Sequence, residues 1–325
     1  MKINTVTLSY EQNIKLMNAL PTLEFFSDIE LIDKFQFLEA TIVDALGLDK
    51  ASELRFFQKD DSAHALIIKG MPLDNNLAAT PYDSLNYEKC PVSIMSLLAF
   101  YAAIGINPVA YIGENHGRLI RGVFAKKSSE NEASSHGSNI ELGYHMDHAH
   151  LSLPGEHCVS SNSPEILGLL SLRGNSSVPT YILAIDEIIE ALDKKTLETL
   201  NQPLFDILPP DSVGYQNKLT KVPILVKNEN GSYLSRYNAA KVIGLTKEAS
   251  EAIKKLDLVI SSLPKSSITL MPGECLIFKN QRTLHARPAF SSDYEGMDRW
   301  YLRLFGTTGI DKIHSAHPLL PFLAV

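Results

Sequence analysis

Three histidines and one aspartate fall within six residues in the middle of this chain, in the segment Tyr144-His145-Met146-Asp147-His148-Ala149-His150. In a β-strand, residues two apart point to the same face, so a strand here would aim the His145 imidazole and the Asp147 carboxylate into one cavity. A third ligand from elsewhere would complete a face of two histidines and one carboxylate around a metal. That ligand set, which leaves positions open, is typical of non-haem Fe(II) oxygenases.

The same cluster is also compatible with zinc, because His148 or His150 would serve as a further ligand. The spacing differs from the H-E-x-x-H helix of zinc hydrolases. The residues alone therefore leave two alternatives to an iron oxygenase. One is a zinc-dependent hydrolase, and the other is a metal-binding protein without catalytic activity.

One histidine and two arginines near the end of the chain are candidates for completing the site. His285 lies near the end of a predicted strand that follows a Pro272-Gly273 turn, and is the candidate for the third ligand. In the predicted strand 299–305, Arg299 and Arg303 share one face. An unpaired guanidinium is costly to bury, so this face must meet acidic side chains of the protein or a carboxylate ligand, which matches the planar fork of arginine.

The composition excludes several classes of protein. The 325 residues carry a net charge of −7, with 45% apolar and 21% charged residues, which favours a sizeable core and argues against a nucleic-acid partner. We expect no signal peptide and no membrane span, because no apolar run has the required length. The cysteines Cys90, Cys158 and Cys275 are widely spaced and form no C-x-x-C motif, which favours a reduced, cytoplasmic compartment.

The predicted elements have to bring the early and late segments together. Helical spacing of apolar residues predicts helices over 9–20, 28–47, 91–104, 185–201 and 246–261. Short β-type runs between Gly, Pro and Asn turns predict strands over 65–70, 119–124, 140–147, 166–173, 179–184, 222–226, 232–237, 267–270, 274–278, 282–287 and 299–305. Many short strands with such turns favour a sandwich or barrel over a parallel α/β sheet. The polar segment 126–139 is expected to be a mobile loop, either a lid or a plain solvated excursion.

Taken in this order, the motifs resemble the clavaminate synthase-like branch of the Fe(II)/2-oxoglutarate-dependent dioxygenases. That branch includes clavaminate synthase and hydroxylases of L-asparagine, L-arginine and L-lysine. The residues that carry the resemblance are His145-x-Asp147, the stretch 280–287 that contains His285, and Asp298-Arg299-Trp300 followed by Arg303. The resemblance is strongest over residues 137–183 and 267–306.

The resemblance implies a mainly β fold with flanking helices, in which the core is a double-stranded β-helix, the jelly roll of cupin-like proteins. We expect residues 1–325 to form a single oxygenase domain. Within it, a helical N-terminal part over 1–107 would pack on a jelly-roll core over 108–306. A helical insert would occupy about 185–262 of that core.

The resemblance also implies roles for site residues. His145, Asp147 and His285 would hold Fe(II), although many members of the family carry Glu where this chain has Asp147. Arg299 would bind the distal carboxylate of 2-oxoglutarate, assisted by the Thr180 hydroxyl. No catalytic side chain is expected beyond the metal centre.

Three further residues are expected to contact the substrate. Arg303 matches the family arginine that holds the α-carboxylate of an amino acid. Asn238 stands where the amino-acid hydroxylases usually have an acidic residue, which makes a guanidinium or ammonium substrate less certain. Arg121 falls where relatives have a neutral polar contact, and a cation there would favour a substrate with a second polar or acidic group.

The implied reaction uses Fe(II), O2 and 2-oxoglutarate as co-substrate. It would hydroxylate an unactivated C–H bond, at Cβ or Cγ, of an L-amino acid that is free or bound to a carrier protein. Succinate and CO2 would be released. Neither nucleic acid nor membrane is expected as a partner.

Overall fold

The computed structural model describes residues 1–154, 156, 163–210, 218–228 and 230–325. Cys90 and Cys275 are free and buried, as expected of thiols that are not ligands. Cys158 lies outside the described residues. Over the described ranges, no helix combines the length and the apolar character that a membrane crossing requires.

The helices fall into two groups that are far apart in the sequence. The first group is α1 (Tyr10–Ala19), α2 (Asp28–Leu46), α3 (Leu48–Lys59) and α4 (Pro91–Ile104). The second group is α5 (Ile185–Ala191), α6 (Lys194–Leu200) and α7 (Lys247–Ser262). Each group covers one sheet, as described below.

Local capping explains where the long helices begin and end. The side chains of Ser27 and Thr246 each accept a hydrogen bond from the amide three residues on, which the first turn of α2 or α7 would otherwise leave without a partner. Pro91 opens α4, where its missing N–H costs no helical hydrogen bond, and Gly105 ends it with a φ of 84°. The helices predicted around these caps are therefore present, each within one residue of its predicted ends.

The strands are short, as the turn residues between them predict. They are β1 (Ile3–Thr7), β2 (Ala65–Lys69), β3 (Asn107–Tyr111), β4 (Arg121–Val123), β5 (Leu142–His145), β6 (Ile166–Arg173), β7 (Thr180–Ala184), β8 (Phe205–Ile207), β9 (Leu219–Val222), β10 (Leu225–Lys227), β11 (Tyr233–Ser235), β12 (Val242–Gly244), β13 (Ser266–Ile268), β14 (Cys275–Lys279), β15 (Thr283–Arg287), β16 (Trp300–Thr307) and β17 (Leu323–Ala324).

Two sheets position the site. The larger has the order β1-β2-β14-β6-β16-β3-β17, with β4 also paired to β16. The smaller has the order β13-β7-β15-β5, and its pairs are antiparallel. Two further small sheets, β12-β8-β9 and β10-β11, accompany the second group of helices.

The alternation of side chains along each strand divides the core into layers. In β16, Trp300 and Leu302 pack into the cluster that contains α1 to α4, whereas Tyr301 and Phe305 pack into a cluster shared with the small sheet. The outer face of the small sheet packs against α5 to α7. The two sheets therefore face each other, with helices outside both, and side chains that point inward from either sheet meet between them.

Some elements differ from the sequence prediction. β1 and α3 were not predicted: β1 becomes regular only through parallel pairing with β2, and α3 buries only Leu54 and Phe57, which leaves little periodicity to detect. The helix predicted over 185–201 is interrupted, because Asp193 caps a new helix by accepting from the Thr196 amide. The assignment of the whole chain to one domain, with an N-terminal part and an insert, stays a prediction.

Candidate metal centre

Two histidines on neighbouring strands face each other in the candidate metal centre. His145 ends β5, His285 lies in β15, and the two are directly opposite each other in the antiparallel ladder. Their side chains therefore share a face, with ring centroids 4.1 Å apart. Asp147 follows two residues after His145, and one ligand atom from each of the three residues lies within 4.8 Å of the others.

Hydrogen bonds orient the ligand atoms of this group. The Nδ1 of His145 donates to the Gly143 carbonyl oxygen at 2.8 Å, which leaves Nε2 for a metal. That Nε2 lies 3.5 Å from Oδ1 of Asp147. The other carboxylate oxygen, Oδ2, accepts from Nη1 of Arg303 at 3.2 Å. His145 and Asp147 thus each have one atom held by the protein and one directed at the shared centre.

The electrostatics favour the protonation states that bind metal. Burial acts to raise the pKa of Asp147, but the Arg303 charge and the hydrogen bond with His145 hold that pKa well below its usual range. Burial, together with the charge of His145, lowers the pKa of His285 to about 3. An ionised carboxylate and a neutral imidazole are the forms that ligate. Two nitrogen donors and one oxygen donor on one side, with the cavity on the other, fit Fe(II).

Asn280 fixes the position of Asp147, and the sequence analysis missed it. It is fully buried, and its Oδ1 accepts from the Asp147 amide at 3.0 Å. Its Nδ2 donates to the Asp147 carbonyl oxygen at 3.0 Å and to the Pro164 carbonyl oxygen at 2.9 Å. The side chain therefore replaces the strand pairing that β5 loses beyond His145. Asn280 begins the stretch 280–287 that carries part of the resemblance, but nothing local indicates which segment its amide reaches.

A cavity of about 500 Å³ opens beside the candidate metal ligands. Its size is in the range of small-molecule sites. All eight residues that the sequence analysis selected line it: His145, Asp147, His285, Arg299, Thr180, Arg303, Asn238 and Arg121. The fold thus brings together residues that are up to 182 positions apart in the chain, from Arg121 to Arg303.

Arg299 provides the positive charge in one half of the cavity. It is 5% exposed, its guanidinium lies 3.8 Å above the Tyr301 ring, and its Nε has no hydrogen-bond partner. No carboxylate among the described residues forms an ion pair with it. The buried Thr180 hydroxyl lines the same cavity. Because a buried guanidinium without an anion is costly, this half of the cavity fits a ligand that carries a carboxylate, such as 2-oxoglutarate.

The other half of the cavity contains a buried charge cluster. Arg121 of β4 lies directly opposite Arg303 of β16. Both donate to Oε1 of Glu114, the former at 2.5 Å, while Nε2 of His148 donates to Oε2 of Glu114 at 2.6 Å. Burial acts to raise the pKa of Glu114, but the charges of Arg303 and His148 hold it well below its usual range.

Glu114 is the second residue that the sequence analysis missed. The arginine face of β16 indicated that acidic side chains or a carboxylate ligand must meet it, and Glu114 is such an acid. It lies in the turn after β3, far from Arg303 in sequence, so no local pattern identifies it. Arg303 has several N–H groups, and pairing with Glu114 and Asp147 does not use them all.

The other candidate residues lie near the three metal ligands but do not belong to that group. Asn238 pairs with His145 through an isolated β-bridge, and its Oδ1 accepts from the Ala240 amide at 3.1 Å. His148 faces the cavity but is bound to Glu114 and stacks on Tyr111 with centroids 4.3 Å apart. Within the described part of the chain, the only group placed to hold a metal contains neither His148 nor His150.

Part of the loop over 126–139 reaches the cavity. Its residues 131–135 contribute to the cavity wall, and they are exposed or half-buried. The loop is thus adjacent to the site, as the sequence analysis expected. Its action as a lid stays a prediction.

Comparison with known proteins identifies relatives of this chain. No family model matches it. It is 25% identical over 276 residues to L-asparagine oxygenase of Streptomyces coelicolor, which covers 82% of this chain and 78% of that relative. It is 24% identical over 301 residues to enduracididine β-hydroxylase of Streptomyces hygroscopicus, which covers 83% and 84% of the two chains.

A solved structure is similar over almost the whole chain. It is asparagine oxygenase in complex with Fe(II), 2S,3S-3-hydroxyasparagine and succinate, and it matches with a TM-score of 0.84. The match covers 98% of both chains at 22% sequence identity. This likeness confirms the jelly-roll core with flanking helices that the sequence analysis expected. The relatives confirm the resemblance that was drawn from the motifs.

Proposed function

Because this chain belongs to the clavaminate synthase-like Fe(II)/2-oxoglutarate-dependent dioxygenases, we propose that it hydroxylates an unactivated C–H bond, at Cβ or Cγ, of an L-amino acid. One observation carries the proposal. The group His145, Asp147 and His285 shares a single cavity with a buried arginine, Arg299, that has no acidic partner among the described residues.

The metal ligands supply the base of the reaction site. His145, Asp147 and His285 would hold Fe(II) on one side and leave the cavity side open. When bound, Fe(II) with O2 and 2-oxoglutarate supplies oxidising chemistry that inserts one oxygen atom into a C–H bond and releases succinate and CO2. The Asn280 amide holds the backbone of Asp147 and thus keeps the carboxylate in the ligating position.

Arg299 and Thr180 would bind the distal carboxylate of 2-oxoglutarate. The guanidinium offers a planar pair of N–H donors, and the Tyr301 ring beneath it restricts its plane. The Thr180 hydroxyl would donate a further hydrogen bond to the same carboxylate. Anchoring the far end of the co-substrate fixes the direction from which its reactive end meets the metal ligands.

Arg303 would hold the α-carboxylate of the amino acid. It contacts Asp147 directly, so a substrate bound to Arg303 has its Cβ and Cγ beside the metal ligands. Leu167 and Leu169 of β6 line the cavity and exclude water from part of it. Arg121 and Asn238 complete the set of proposed substrate contacts.

The proposal covers a free amino acid and one bound to a carrier protein. The cytoplasm remains the proposed compartment, because Cys90 and Cys275 are free thiols and fit a reducing environment. Which amino acid is hydroxylated depends on the half of the cavity around Arg303.

A coupled assay tests the proposed function. The protein is incubated with Fe(II), ascorbate, O2 and 2-oxoglutarate and a panel of free L-amino acids. Succinate and a mass gain of one oxygen are measured. Succinate that rises together with a hydroxylated amino acid is the expected result. Slow succinate without such a product would favour a carrier-bound substrate.

Absence of succinate from protein with demonstrated bound iron would contradict the proposal. A protein incubated with zinc in place of iron is the matched control and should form no succinate. Tight zinc binding with hydrolytic activity would instead support the zinc-dependent hydrolase, and tight zinc with no activity would support the metal-binding protein.

A further inference from the structure

The charge cluster around Arg303 contains two guanidinium groups and one dedicated carboxylate. Arg121 and Arg303 are directly opposite residues on neighbouring antiparallel strands, and both face the cavity. Like charges in that position are destabilising, because the side chains start about 5 Å apart. Glu114 lies between them and accepts from both. The arrangement is therefore a pair of cations held together by a single anion.

One carboxylate does not balance both cations. Asp147 is the other acid that touches Arg303, but its charge is assigned to the metal. Burial and then the neighbouring Arg303 charge lower the pKa of Arg121. Arg303 therefore contacts two carboxylates, whereas the one acid that Arg121 contacts among the described residues is the shared Glu114, and its Nε has no hydrogen-bond partner.

The rest of the cavity wall does not favour a cationic substrate. The buried cationic side chains on it include Arg287 and Arg299 as well as the opposed pair. Glu132, the remaining acid among the described lining residues, is exposed in a loop, where solvent screens it. The turn next to His145 presents the Asn238 amide. Among the lining residues that the structure describes, no buried carboxylate is left there to receive an ammonium or a guanidinium.

A neutral zwitterion would leave this excess of positive charge unchanged. Its α-carboxylate would pair with Arg303, but its α-ammonium would add a positive charge beside the same cluster. A second carboxylate on the side chain would give Arg121 an anion that it does not share with Arg303. Because the two guanidiniums are adjacent, the two carboxylates of one small dicarboxylic amino acid would reach both of them. The carbons between those carboxylates would then face the metal ligands.

We infer that the substrate is an acidic L-amino acid of the aspartate or glutamate type, and that Arg121 is the residue that selects its side-chain carboxylate. This inference rests on the proposed function. It differs from the substrates in the names of the relatives, which are an amide or basic amino acids.

Matched acid and amide pairs test the inference. L-aspartate, L-asparagine, L-glutamate and L-glutamine are compared, with L-arginine and L-lysine as cationic controls. The wild type is expected to hydroxylate aspartate or glutamate with a kcat/KM at least about tenfold above that of the matched amide, because a buried guanidinium would be left without its anion. Calorimetric titration of the anaerobic complex with Fe(II) and 2-oxoglutarate should show the same preference in Kd, without turnover.

Two variants assign the preference to Arg121. Arg121→Gln should lower kcat/KM for the acid at least about tenfold and remove the preference over the amide, because the remaining charges, Glu114 and Arg303, balance without it. Arg121→Lys keeps the charge and should keep the preference. The KM for 2-oxoglutarate should not change in either variant, since Arg299 lies in the other half of the cavity.

Two results separate failure of this inference from failure of the proposed function. Hydroxylation of an amide or a basic amino acid in preference to both acids would overturn the inference and leave the proposed function in place. An acid preference that survives Arg121→Gln would overturn the role of Arg121. Absence of succinate with every amino acid would overturn the proposed function, and the inference with it.

Discussion

Asn280 holds the peptide units on both sides of Asp147: its side-chain oxygen accepts from the Asp147 amide, and its side-chain nitrogen donates to the Asp147 carbonyl, each at 3.0 Å. The two residues are 133 positions apart. The contact connects the turn before β15 to the end of β5. The strand that carries His285 and the segment that carries Asp147 are therefore locked together next to the metal centre.

Asn280→Ala should weaken metal binding. The substitution leaves the Asp147 amide and carbonyl without their partners, so the carboxylate is no longer held, and loss of such a contact typically weakens metal affinity by about tenfold to a hundredfold. The measurement is the Kd for Fe(II) or Mn(II) under anaerobic conditions. Asn280→Asp keeps the acceptor and loses the donor, so its Kd should be intermediate.

Asn201→Ala is the matched control, because Asn201 also donates its side-chain amide to a backbone carbonyl, that of Leu197, but lies in a helix end outside the cavity lining. Its metal affinity should equal that of the wild type. An Asn280→Ala protein that remains folded by circular dichroism and binds metal as tightly as the control would show that Asn280 does not position Asp147.

Arg299→Ala should raise the KM for 2-oxoglutarate by about tenfold to a hundredfold, because a charged hydrogen bond contributes about 1.5–3 kcal/mol. Arg299→Lys keeps the charge but loses the planar fork, so its KM should lie between those of the wild type and the alanine variant. Succinate formation at varied 2-oxoglutarate is the measurement. An unchanged KM in Arg299→Ala would mean that the distal carboxylate binds elsewhere.

Histidine substitutions separate iron from zinc as the metal. His145→Ala and His285→Ala should abolish both metal binding and turnover, because each removes one of three protein ligands. His148→Ala should reduce turnover only partly, since His148 acts through Glu114, and His150→Ala should have a smaller effect. Metal content by mass spectrometry and succinate formation are measured on the same samples. The zinc hypothesis predicts instead that His148 or His150 is essential.

Glu114→Gln should destabilise the protein by about 3 kcal/mol or more, because it removes the one anion between two buried arginines. Urea unfolding measures the loss. The double variant Glu114→Gln/Arg121→Gln should recover part of it, since one unbalanced cation is removed with the anion. The shared pairing would be contradicted if the loss of unfolding free energy in the double variant equalled the sum of the losses in the two single variants.

The pH dependence of the protein's stability should change when Glu114 is replaced by Gln. The folded-state pKa of Glu114 lies below its ordinary value of 4.5, so the stability it confers is fully present above about pH 4.5 and is lost as the pH falls toward the folded-state pKa. Glu114→Gln cannot titrate. Its free energy of unfolding should therefore fall less between pH 5 and pH 3 than that of the wild type, at equal ionic strength.

Much of the fold could be predicted because its causes are local. Ser27, Thr246 and Pro91 mark helix ends through their own hydrogen-bonding groups, so α2, α4 and α7 follow from the sequence. Strands such as β6 and β16 are bounded by turn residues. β1 could not be predicted in the same way, because its regular conformation depends on pairing with β2, whose strand begins 62 residues later.

The chemistry of single side chains and their alternation along one strand is decided by the sequence itself. His-x-Asp keeps His145 and Asp147 within two residues of each other, and the alternation in β16 separates its arginines from Trp300. The partners across strands are decided only by the tertiary structure. Sheet register sets His285 opposite His145 and Arg121 opposite Arg303. The packing of distant segments adds further hydrogen-bonding partners that no sequence motif indicates. Register depends on the pairing of strands that are distant in the sequence, so it cannot be predicted from a local pattern. A shift of one residue in that pairing would turn every side chain of the strand to the other face.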